Sequence, residues 1–407
     1  MPTYLTPGVY KEDIFATPEP ELRTGVPALL GYTTTGPRKP ERLNRFSEFE
    51  EQYEENRQPL ATSFLASAVR SFFENGGEVC YVVRLEESLS VVAALENGLA
   101  QLQALDTVDL ICAPDIVRPV PAPEDSKTLL APDAAEVRVM QRLVITHCDA
   151  KGDRFAILDS YPCKEAGNES QISAVLGQRT GLNGTNGALY FPWVKISGAS
   201  AFAPEIKAAG FPNLLRGFVP PCGHVAGIYA RSDQRVGVQK APANEIVEGA
   251  LDLEIDLTNT QQAELNPHGV NCLRAFPGRG IRVWGARTLS REPAWTYVNV
   301  RRLFLTAGRW IERNMPDVVF EPNDSKLWER IRLDLTTYFL GLFQRGALKG
   351  RTAQEAFYVK CNAETNPAEV REAGMVVTEI GLAPSSPAEF IIVRIVHGSE
   401  GIRIVAP

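Results

Sequence analysis

Apolar and polar positions predict an alternation of strands and helices over residues 26–196. Short apolar runs such as VPALLGY, VCYVVRL and VDLICAPD predict buried strands. Between these runs, apolar residues recur at spacings of three and four, which predicts helices with one apolar face. We therefore predict an α/β fold in which helices cover a sheet. The clearest helical set is Phe64, Leu65, Ala68, Val69, Phe72 and Phe73.

The pattern changes after about Pro267. GIRVWGA predicts a strand, and residues 297–316 and 323–350 predict two long helices. The second helix has a main apolar stripe and a smaller one formed by Leu333 and Leu340. A helix that is apolar on two sides is usually covered on two sides. The main stripe is Leu327, Trp328, Ile331, Leu335, Tyr338, Phe339 and Leu342.

Both ends of the chain are predicted to be extended arms without a local partner. The prolines of TPEPEL exclude a helix over residues 17–22. The last predicted strand, EFIIVRIV, follows Pro384 and Pro387. We therefore expect this strand to be hinged away from the preceding domain.

Composition and charge disfavour several classes of protein. The 407 residues carry a net charge of −7, which argues against non-specific binding of nucleic acids or membranes by the whole chain. The N-terminal sequence lacks the pattern of a secretory signal, and no apolar run reaches the ~18–20 residues of a membrane span. We therefore expect cytoplasmic assembly. The seven scattered cysteines predict reduced, buried thiols, and the four histidines show no metal-binding spacing.

The glycine-rich sequence FPGRGIRVWGARTLS is the candidate for a phosphate-binding loop. A dinucleotide-binding loop needs a third glycine and a following helix, whose N-terminus meets the phosphate. Here Val283 stands where the third glycine would be, and a strand pattern follows. The lysine of a P-loop is also missing. We therefore predict that Gly278 and Gly280 belong to a turn that enters a strand.

Three further candidates for chemistry are weaker than their structural alternatives. Cys148 lies beside a histidine but is predicted to be a core thiol. His224 could be catalytic, yet a capping or packing role is favoured. Asp149, Asp153 and Asp159 lack the ligand spacing of a calcium loop, so a solvated turn is favoured. We predict no catalytic, cofactor or metal site.

The helix over residues 297–316 places Arg302, Arg309 and Arg313 on one face. A charged face of this kind is commonly just solvated. On an acidic protein, however, a one-sided basic stripe could contact an acidic partner surface. The sequence leaves both interpretations open.

A set of motifs, taken together, resembles the tail sheath proteins of contractile phage tails, R-type bacteriocins and extracellular contractile injection systems. Each motif alone is weak, but their order and density are specific, most of all from residue 219 onward. The chain resembles the compact sheaths rather than those with extra surface domains. The motifs include TPGVYKED, FFENGGEVCYVVRL, PPCGHVAGIYARSD, LNPHGVNCLRAFPGRGIRVWGARTLS, VFEPND, GALKGRTAQEAFYVKCNAETNP and GLAPSSPAEFIIVRI.

The resemblance implies an N-terminal arm (1–22), an outer α/β domain (23–265), an inner, tube-facing domain (266–384) and a C-terminal arm (385–407). It implies a structural protein without enzymatic activity or cofactor. Six subunits would form a ring, and rings would stack helically around an inner tube that contraction drives through a target envelope. Further partners would be baseplate and terminator proteins, with no nucleic acid and no membrane. The assembly would be a phage tail or a released extracellular particle.

The resemblance also implies that the arms link subunits, since an unpaired strand can add to a neighbour's sheet. The receiving strands are predicted over residues 357–361 and 376–380. Pro-rich joints near Pro20 and at 384–387 would let subunits rotate while the arms stay attached. The predicted arm positions are Tyr4, Val9, Tyr10, Phe390, Ile391, Ile392, Val393 and Ile395, and the receiving positions are Phe357, Val359, Val376, Val377 and Ile380.

The tube contact is predicted either on the long helix or on the arginine-bearing helix before it. The candidate charges are Arg302, Arg309, Arg313, Lys326, Arg330 and Lys349. Two alternatives to a contractile sheath remain: a non-contractile shell or baseplate-like protein with the same arms, and a nucleotide-binding α/β enzyme. The enzyme would need a convergent acid–base or phosphate site.

Overall fold

The computed structural model describes residues 22–122, 125–163, 168–197, 207–208, 217–390, 394–398 and 401–405. The strands are β1 (Pro27–Gly31), β2 (Glu41–Leu43), β3 (Cys80–Arg84), β4 (Leu110–Cys112), β5 (Val120–Ala122), β6 (Asp125–Leu130), β7 (Phe155–Asp159), β8 (Gly187–Phe191), β9 (Val194–Ile196), β10 (Lys207–Ala208), β11 (Phe218–Val219), β12 (Ala250–Leu253), β13 (Val270–Phe276), β14 (Gly280–Trp284), β15 (Phe357–Lys360), β16 (Glu379–Leu382), β17 (Arg394–Gly398) and β18 (Gly401–Val405). The helices are α1 (Phe46–Tyr53), α2 (Leu65–Glu74), α3 (Val91–Gln101), α4 (Ala134–Lys151), α5 (Asn168–Thr180), α6 (Cys222–Arg235), α7 (Asn259–Leu265), α8 (Val298–Asn314), α9 (Ser325–Gln344), α10 (Ala353–Ala356) and α11 (Ala368–Glu372).

An eight-stranded sheet has the order β14-β13-β8-β7-β4-β1-β3-β2. Its six inner strands pair in parallel, and β2 and β14 pair antiparallel at the two edges. The chain passes from β1 to β3 on one side and then to β4 on the other, so the strand order reverses between β1 and β4. The predicted α/β fold is therefore confirmed, as a doubly wound sheet.

Each face of the sheet packs on its own apolar core. Leu30 of β1 joins the core under α3 and α4, whereas the adjacent Leu29 joins the core under α2 and α6. This alternation follows from the opposite directions of successive strand side chains. Helix α6 is buried nearly all round and packs tightly on α2, because a Cβ at Gly223 would lie 2.3 Å from the backbone oxygen of Ala68.

The C-terminal helices form a third core. Leu303 and Ala307 of α8 pack with the main stripe of α9, and Phe339 lies at its centre, fully buried. The predicted main stripe is thus confirmed. The second stripe is exposed in the single chain, with Leu333 at 62% and Leu340 at 37% exposure. Within the described residues, no helix has both the length and the hydropathy needed to cross a bilayer.

The predicted domain boundary at residue 266 does not coincide with the edge of the sheet. Strand β13 pairs in parallel with β8, and β14 follows it at the edge, so the sheet extends to Trp284. Both strands were predicted to belong to the inner domain. Their place is set by pairing with a strand some eighty residues earlier, which local sequence patterns do not reveal.

The predicted C-terminal arm differs from the structure. Strand β17 (Arg394–Gly398) lies within the predicted arm and pairs antiparallel with β18 (Gly401–Val405) as a hairpin. The prediction that this segment lacks a local partner is therefore wrong for the described residues. Ile395 lies in β17, and Phe390 is 73% exposed. The other predicted arm positions lie outside the described residues: Tyr4, Val9, Tyr10, Ile391, Ile392 and Val393.

Some of the residues predicted as receiving strands lie in strands, and their receiving role stays a prediction. β15 and β16 pair antiparallel and contain Phe357, Val359 and Ile380. Val376 and Val377 precede β16, so their prediction as strand residues is wrong. The reason is the Asn366 amide, whose oxygen accepts the Val377 N–H at 2.7 Å and whose nitrogen donates to the Val377 carbonyl at 3.0 Å. The side chain thus takes the place of a strand partner.

Candidate functional site

The predicted phosphate loop is the turn of the β13–β14 hairpin. Gly278 and Gly280 have φ angles of +70° and +73°, which L side chains rarely adopt. The Arg279 N–H donates to the Phe276 carbonyl at 2.9 Å and closes the turn. The strand β14 follows directly, so no helix N-terminus faces the glycines. The prediction of a turn that enters a strand is confirmed.

The ligand crevice of a doubly wound sheet lies at the carboxyl ends of its strands, where the strand order reverses. Here that position, between β1 and β4, is filled by the buried carboxylate of Asp115. It accepts the N–H groups of Tyr32 at 2.7 Å and Phe64 at 2.6 Å, and the hydroxyl of Ser63 at 2.6 Å. Phe64 is the N-cap of α2, where an anion is favoured. A carboxylate of the chain itself therefore occupies the place of an anionic ligand.

The predicted acidic turn is buried rather than solvated at two of its three positions. Asp159 accepts the Cys222 N–H at 2.8 Å at the start of α6, and burial raises its pKa to about 7. Asp153 is paired with Arg154, with 2.6 Å between Oδ1 and Nε. The exposed Asp149 accepts the backbone N–H of residue 186. The three carboxylates have separate partners, and the described part of the chain contains no group of three potential metal ligands.

The candidate histidine and cysteine residues belong to the core. His224 is fully buried in α6, and burial lowers its pKa to about 4, so its ring is neutral. This agrees with the predicted packing role. Cys148 is also fully buried, and burial raises the pKa of its thiol. All seven cysteines are buried and unpaired, as predicted.

A cluster of four buried charges joins α8 to the sheet and to α6. Arg302 donates two bonds to Asp233, at 2.9 and 2.6 Å, and one to Asp109 at 3.2 Å. Arg309 lies 3.9 Å from Asp109. Burial opposes the charge of Arg302, but the two carboxylates outweigh it and raise the pKa of Arg302 above its ordinary value. We call Asp109, Asp233, Arg302 and Arg309 the ionic junction.

The ionic junction corrects the prediction that Arg302 and Arg309 form an interface stripe. They are 3% and 6% exposed, so neither is available to a tube or another partner. The physical reason is that Asp109 and Asp233 come from distant parts of the chain to meet them. Arg313, Lys326, Arg330 and Lys349 are exposed, and their role as contacts stays a prediction.

The ionic junction also holds the N-terminal root, which we define as residues 22–26. Asp109 accepts the N–H groups of Gly25 at 3.0 Å and Val26 at 2.6 Å, and Arg309 donates to the Arg23 carbonyl at 3.4 Å. Gly25 has φ +73°, and a Cβ there would lie 2.5 Å from the Cα of Ala230 in α6. The root is therefore fixed by bonds and by close packing.

The C-terminal root, residues 383–389, is fixed to the same region. The Asn299 side chain, at the start of α8, donates to the carbonyls of Ser385 at 3.1 Å and Gln239 at 2.8 Å. The Arg287 guanidinium makes two bonds to Glu389, one of them at 3.0 Å. The Pro-rich joint predicted at 384–387 thus contains one anchor, at Ser385, and precedes another, at Glu389; its role as a hinge stays a prediction.

The residues that bind the two roots were not predicted from the sequence. Asp109 and Asp115 bracket β4 within the apolar run VDLICAPD, and both are buried. Polar residues that flank a wholly apolar strand are a signal for such a role, although they do not identify the partner. Asn299 and Arg287 carry no comparable signal.

Family models match most of the C-terminal two thirds of the chain. The model of the phage tail sheath protein central domain matches residues 123–289, and that of the phage tail sheath C-terminal domain matches residues 290–397. The tail sheath protein of Vibrio phage KVP40 is 26% identical over 242 residues, which are 58% of this chain and 35% of that protein. The chain thus spans about a third of the length of this curated relative.

Several solved structures match nearly the whole chain. A chain of the anti-feeding prophage baseplate is 27% identical, with a TM-score of 0.74 and coverage of 97% of this chain and 100% of that one. A chain of the sheath complex of the PVC extracellular contractile injection system, in its contracted state, is also 27% identical. Its TM-score is 0.71, with coverage of 98% and 99%. The chain belongs to the contractile tail sheath family.

Proposed function

We propose that this chain is the subunit of a contractile sheath, in which rings of six copies stack helically around an inner tube. The observation that carries the proposal is that both roots are fixed to one body, through the ionic junction and through Asn299 and Arg287. A pull on either end would therefore act on the whole subunit. Contraction would then draw its work from repacking between subunits, without a nucleotide.

We further propose that strand exchange links the subunits. Within the described residues, the β15–β16 pair has two strands, and so does the β17–β18 hairpin. Two-stranded sheets are marginally stable alone, so each gains from added strands. The hairpin of one subunit would extend the β15–β16 sheet of a neighbour. The connection to the hairpin would begin after Glu389, the last anchor of the C-terminal root.

For the tube contact we favour the exposed face of α9 over α8. Lys326 and Arg330 are exposed on α9, and Leu333 is 62% exposed nearby. Two of the three candidate arginines of α8, Arg302 and Arg309, are bonded inside the chain. Baseplate and terminator proteins would cap the two ends of the sheath, and the particle would be a phage tail or a released injection particle assembled in the cytoplasm.

A structural role is favoured over a catalytic one. Two positions where an α/β enzyme could hold a phosphate are used for structure here: Asp115 occupies the crevice between β1 and β4, and Gly278 forms a hairpin turn. Asp159 and His224 are likewise part of the packing around α6.

Electron microscopy of the purified protein, alone and with its tube partner, tests the proposal. We expect wide, striated, hollow cylinders. The axial distance between successive rings should be shorter in the contracted state than in the extended state. Dispersed monomers or small closed oligomers under every condition would contradict it. Rings that never adopt a second, compact state would favour a baseplate-like role instead, which the match to a baseplate chain also makes worth testing.

Insertion variants test the coupling between arm and body. A few extra residues after Phe390 should leave the rings intact but trap the sheath in its extended state. The reason is that a longer connection would no longer couple the rotation of one subunit to that of its neighbour. The matched control is the same insertion between Asn56 and Arg57, in an exposed turn. Normal contraction of the first variant would contradict the arm coupling.

A further inference from the structure

The loop between α8 and α9 holds an aromatic side chain in solvent at the cost of backbone strain. Phe320 is fully exposed, with a relative exposure of 103%, and its φ angle is +70°. A bulky residue in this left-handed region is an outlier. Val319 beside it is 58% exposed. Neither burial within the chain nor backbone preference explains why a phenylalanine stands here.

The surrounding residues fix this shape. Before Phe320, the Val319 N–H donates to the Pro316 carbonyl at 3.1 Å. After it, the Asn323 amide donates to the Met375 carbonyl at 2.8 Å and accepts the indole N–H of Trp328 at 2.9 Å. Strained residues persist where their surroundings over-determine them, and such positions cluster at functional sites.

The loop is acidic, and a groove of the same chain is basic and aromatic. Asp317 and Glu321 flank Phe320 and are exposed. An open groove of about 850 Å³ lies between the end of α6 and helices α8 and α9. Trp310 and Tyr338 line it, stacked at 4.0 Å between ring centroids. Arg313 and Arg345 stand at its rim, and the described residues offer neither of them an ion pair.

We propose that the 317–321 loop is an assembly contact in which Phe320 of one subunit inserts into this groove on a second copy of the chain. The phenyl group of Phe320 would pack on Trp310 and Tyr338. The carboxylates of the loop would form ion pairs with the two arginines at the rim of the groove. Because loop and groove are different patches, the contact is head-to-tail, the kind that builds rings and helical arrays. This inference rests on the proposed function, since it assumes that copies of the chain assemble.

The first test measures the critical concentration for assembly by sedimentation, without the tube partner. Phe320→Ala removes the phenyl group and should raise the critical concentration for assembly about tenfold or more. Phe320→Tyr should assemble nearly as wild type. Phe320→Gly should lose assembly but raise the melting temperature of the subunit, because glycine relieves the strain. The matched control is Leu251→Ala, which shortens a side chain 62% exposed elsewhere.

The second test is a charge exchange. Glu321→Arg and Arg345→Glu should each raise the critical concentration about tenfold or more, and the double variant should recover most of the loss. Glu96→Arg, at an exposed position of α3, is the control for net charge. Failure of the double variant to recover would overturn the assignment of the groove.

The outcomes separate this contact from the proposed function. If the wild-type chain assembles and Phe320→Ala assembles equally well, the contact is wrong and the sheath proposal stands. If Phe320→Ala assembles normally alone but fails only with the tube, the occupant is the tube and the second-copy proposal is overturned. If the wild type never assembles, the proposed function fails first.

Discussion

Helices α8 and α9 pack against each other and both carry arginines, yet they use their charges in opposite ways. Arg302 and Arg309 of α8 are buried and bonded inside the chain. Lys326 and Arg330 of α9 are exposed, on a helix that also exposes Leu333. The difference does not lie in the helices themselves. It comes from Asp109 and Asp233, which meet α8, whereas no carboxylate of the described residues pairs with Lys326 or Arg330 on α9.

Removal of Arg302 is the change with the largest expected effect. Arg302→Ala leaves Asp109 and Asp233 buried without their cation, so we expect the free energy of unfolding to fall by about 3–5 kcal/mol. Arg302→Lys keeps the charge but loses the two-pronged bond to Asp233, so its loss should be intermediate. Denaturant midpoints would measure both.

The matched control for Arg302 lies on the same helix. Arg313→Ala, at an exposed position, should change the free energy of unfolding by no more than ~0.5 kcal/mol. Equal losses from Arg302→Ala and Arg313→Ala would show that the ionic junction contributes no more than a solvated charge.

Asp159 extends the comparison to a buried carboxyl group that has no cationic partner among the described residues. Burial raises its pKa from 3.8 to about 7, so the stability it contributes is full below pH 3.8 and is lost as the pH rises through 7. Asp159→Asn keeps an oxygen for the Cys222 N–H and stays neutral. Relative to wild type, this variant should therefore gain stability from about pH 4 to 7 and level off above.

The difference in stability between Asp159→Asn and wild type reports the titration of Asp159 without that of the buried histidines. His147 and His224 have pKa values lowered from 6.5 to about 4 by burial, so they reduce stability as the pH falls below 6.5. Both proteins contain them, and their effect cancels. Melting temperatures of the two proteins across pH 4–9 would measure the difference, and a flat difference would contradict a buried, ionising Asp159.

Local patterns predicted the elements that have one apolar face, and failed where the whole surface is buried. Helices α2, α8 and α9 follow apolar stripes and are found where expected. Helix α6 is not predicted, because a helix buried nearly all round has no polar stripe, and its Gly223 and Gly227 suggest a loop by propensity. Both glycines are instead needed where α6 approaches α2.

The candidate site was harder to predict than the fold, because its bonds join distant residues. Asp109 and Arg302 are 193 positions apart, and Asp233 and Arg302 are 69 apart. A stripe of arginines on one helix face is compatible with solvent, a partner or a buried carboxylate. Only the tertiary structure distinguishes these three possibilities. It shows that the arginines Arg302 and Arg309 of α8 meet buried carboxylates, whereas the charges Lys326 and Arg330 of α9 are exposed.

Arg287 offers a smaller effect than Arg302 and a test of the C-terminal root. Arg287→Ala removes both bonds to Glu389, whose side chain is only 16% exposed, so we expect a loss of about 1–2 kcal/mol. We also expect proteolytic cleavage near residue 390 to become faster, because the root is released from the body. Arg282→Ala, whose guanidinium bonds the Asn244 carbonyl nearby, is the control. Unchanged cleavage would show that the bonds at residues 383–385, from Asn299 and from the backbone around Ala347 and Ala356, hold the root without Arg287.

The smallest effect on the stability of the subunit is expected from substitutions on the exposed face of α9. These substitutions test the contrast between α8 and α9 most directly. Lys326→Glu with Arg330→Glu should change the free energy of unfolding by no more than ~0.5 kcal/mol, because neither side chain is bonded in a buried site. The same variant should lose co-sedimentation with tube protein while still forming rings. Leu333→Gln should weaken tube binding without altering stability, since the side chain is already exposed. If these variants lost ring formation instead, α9 would lie between subunits, and the tube would contact a different surface.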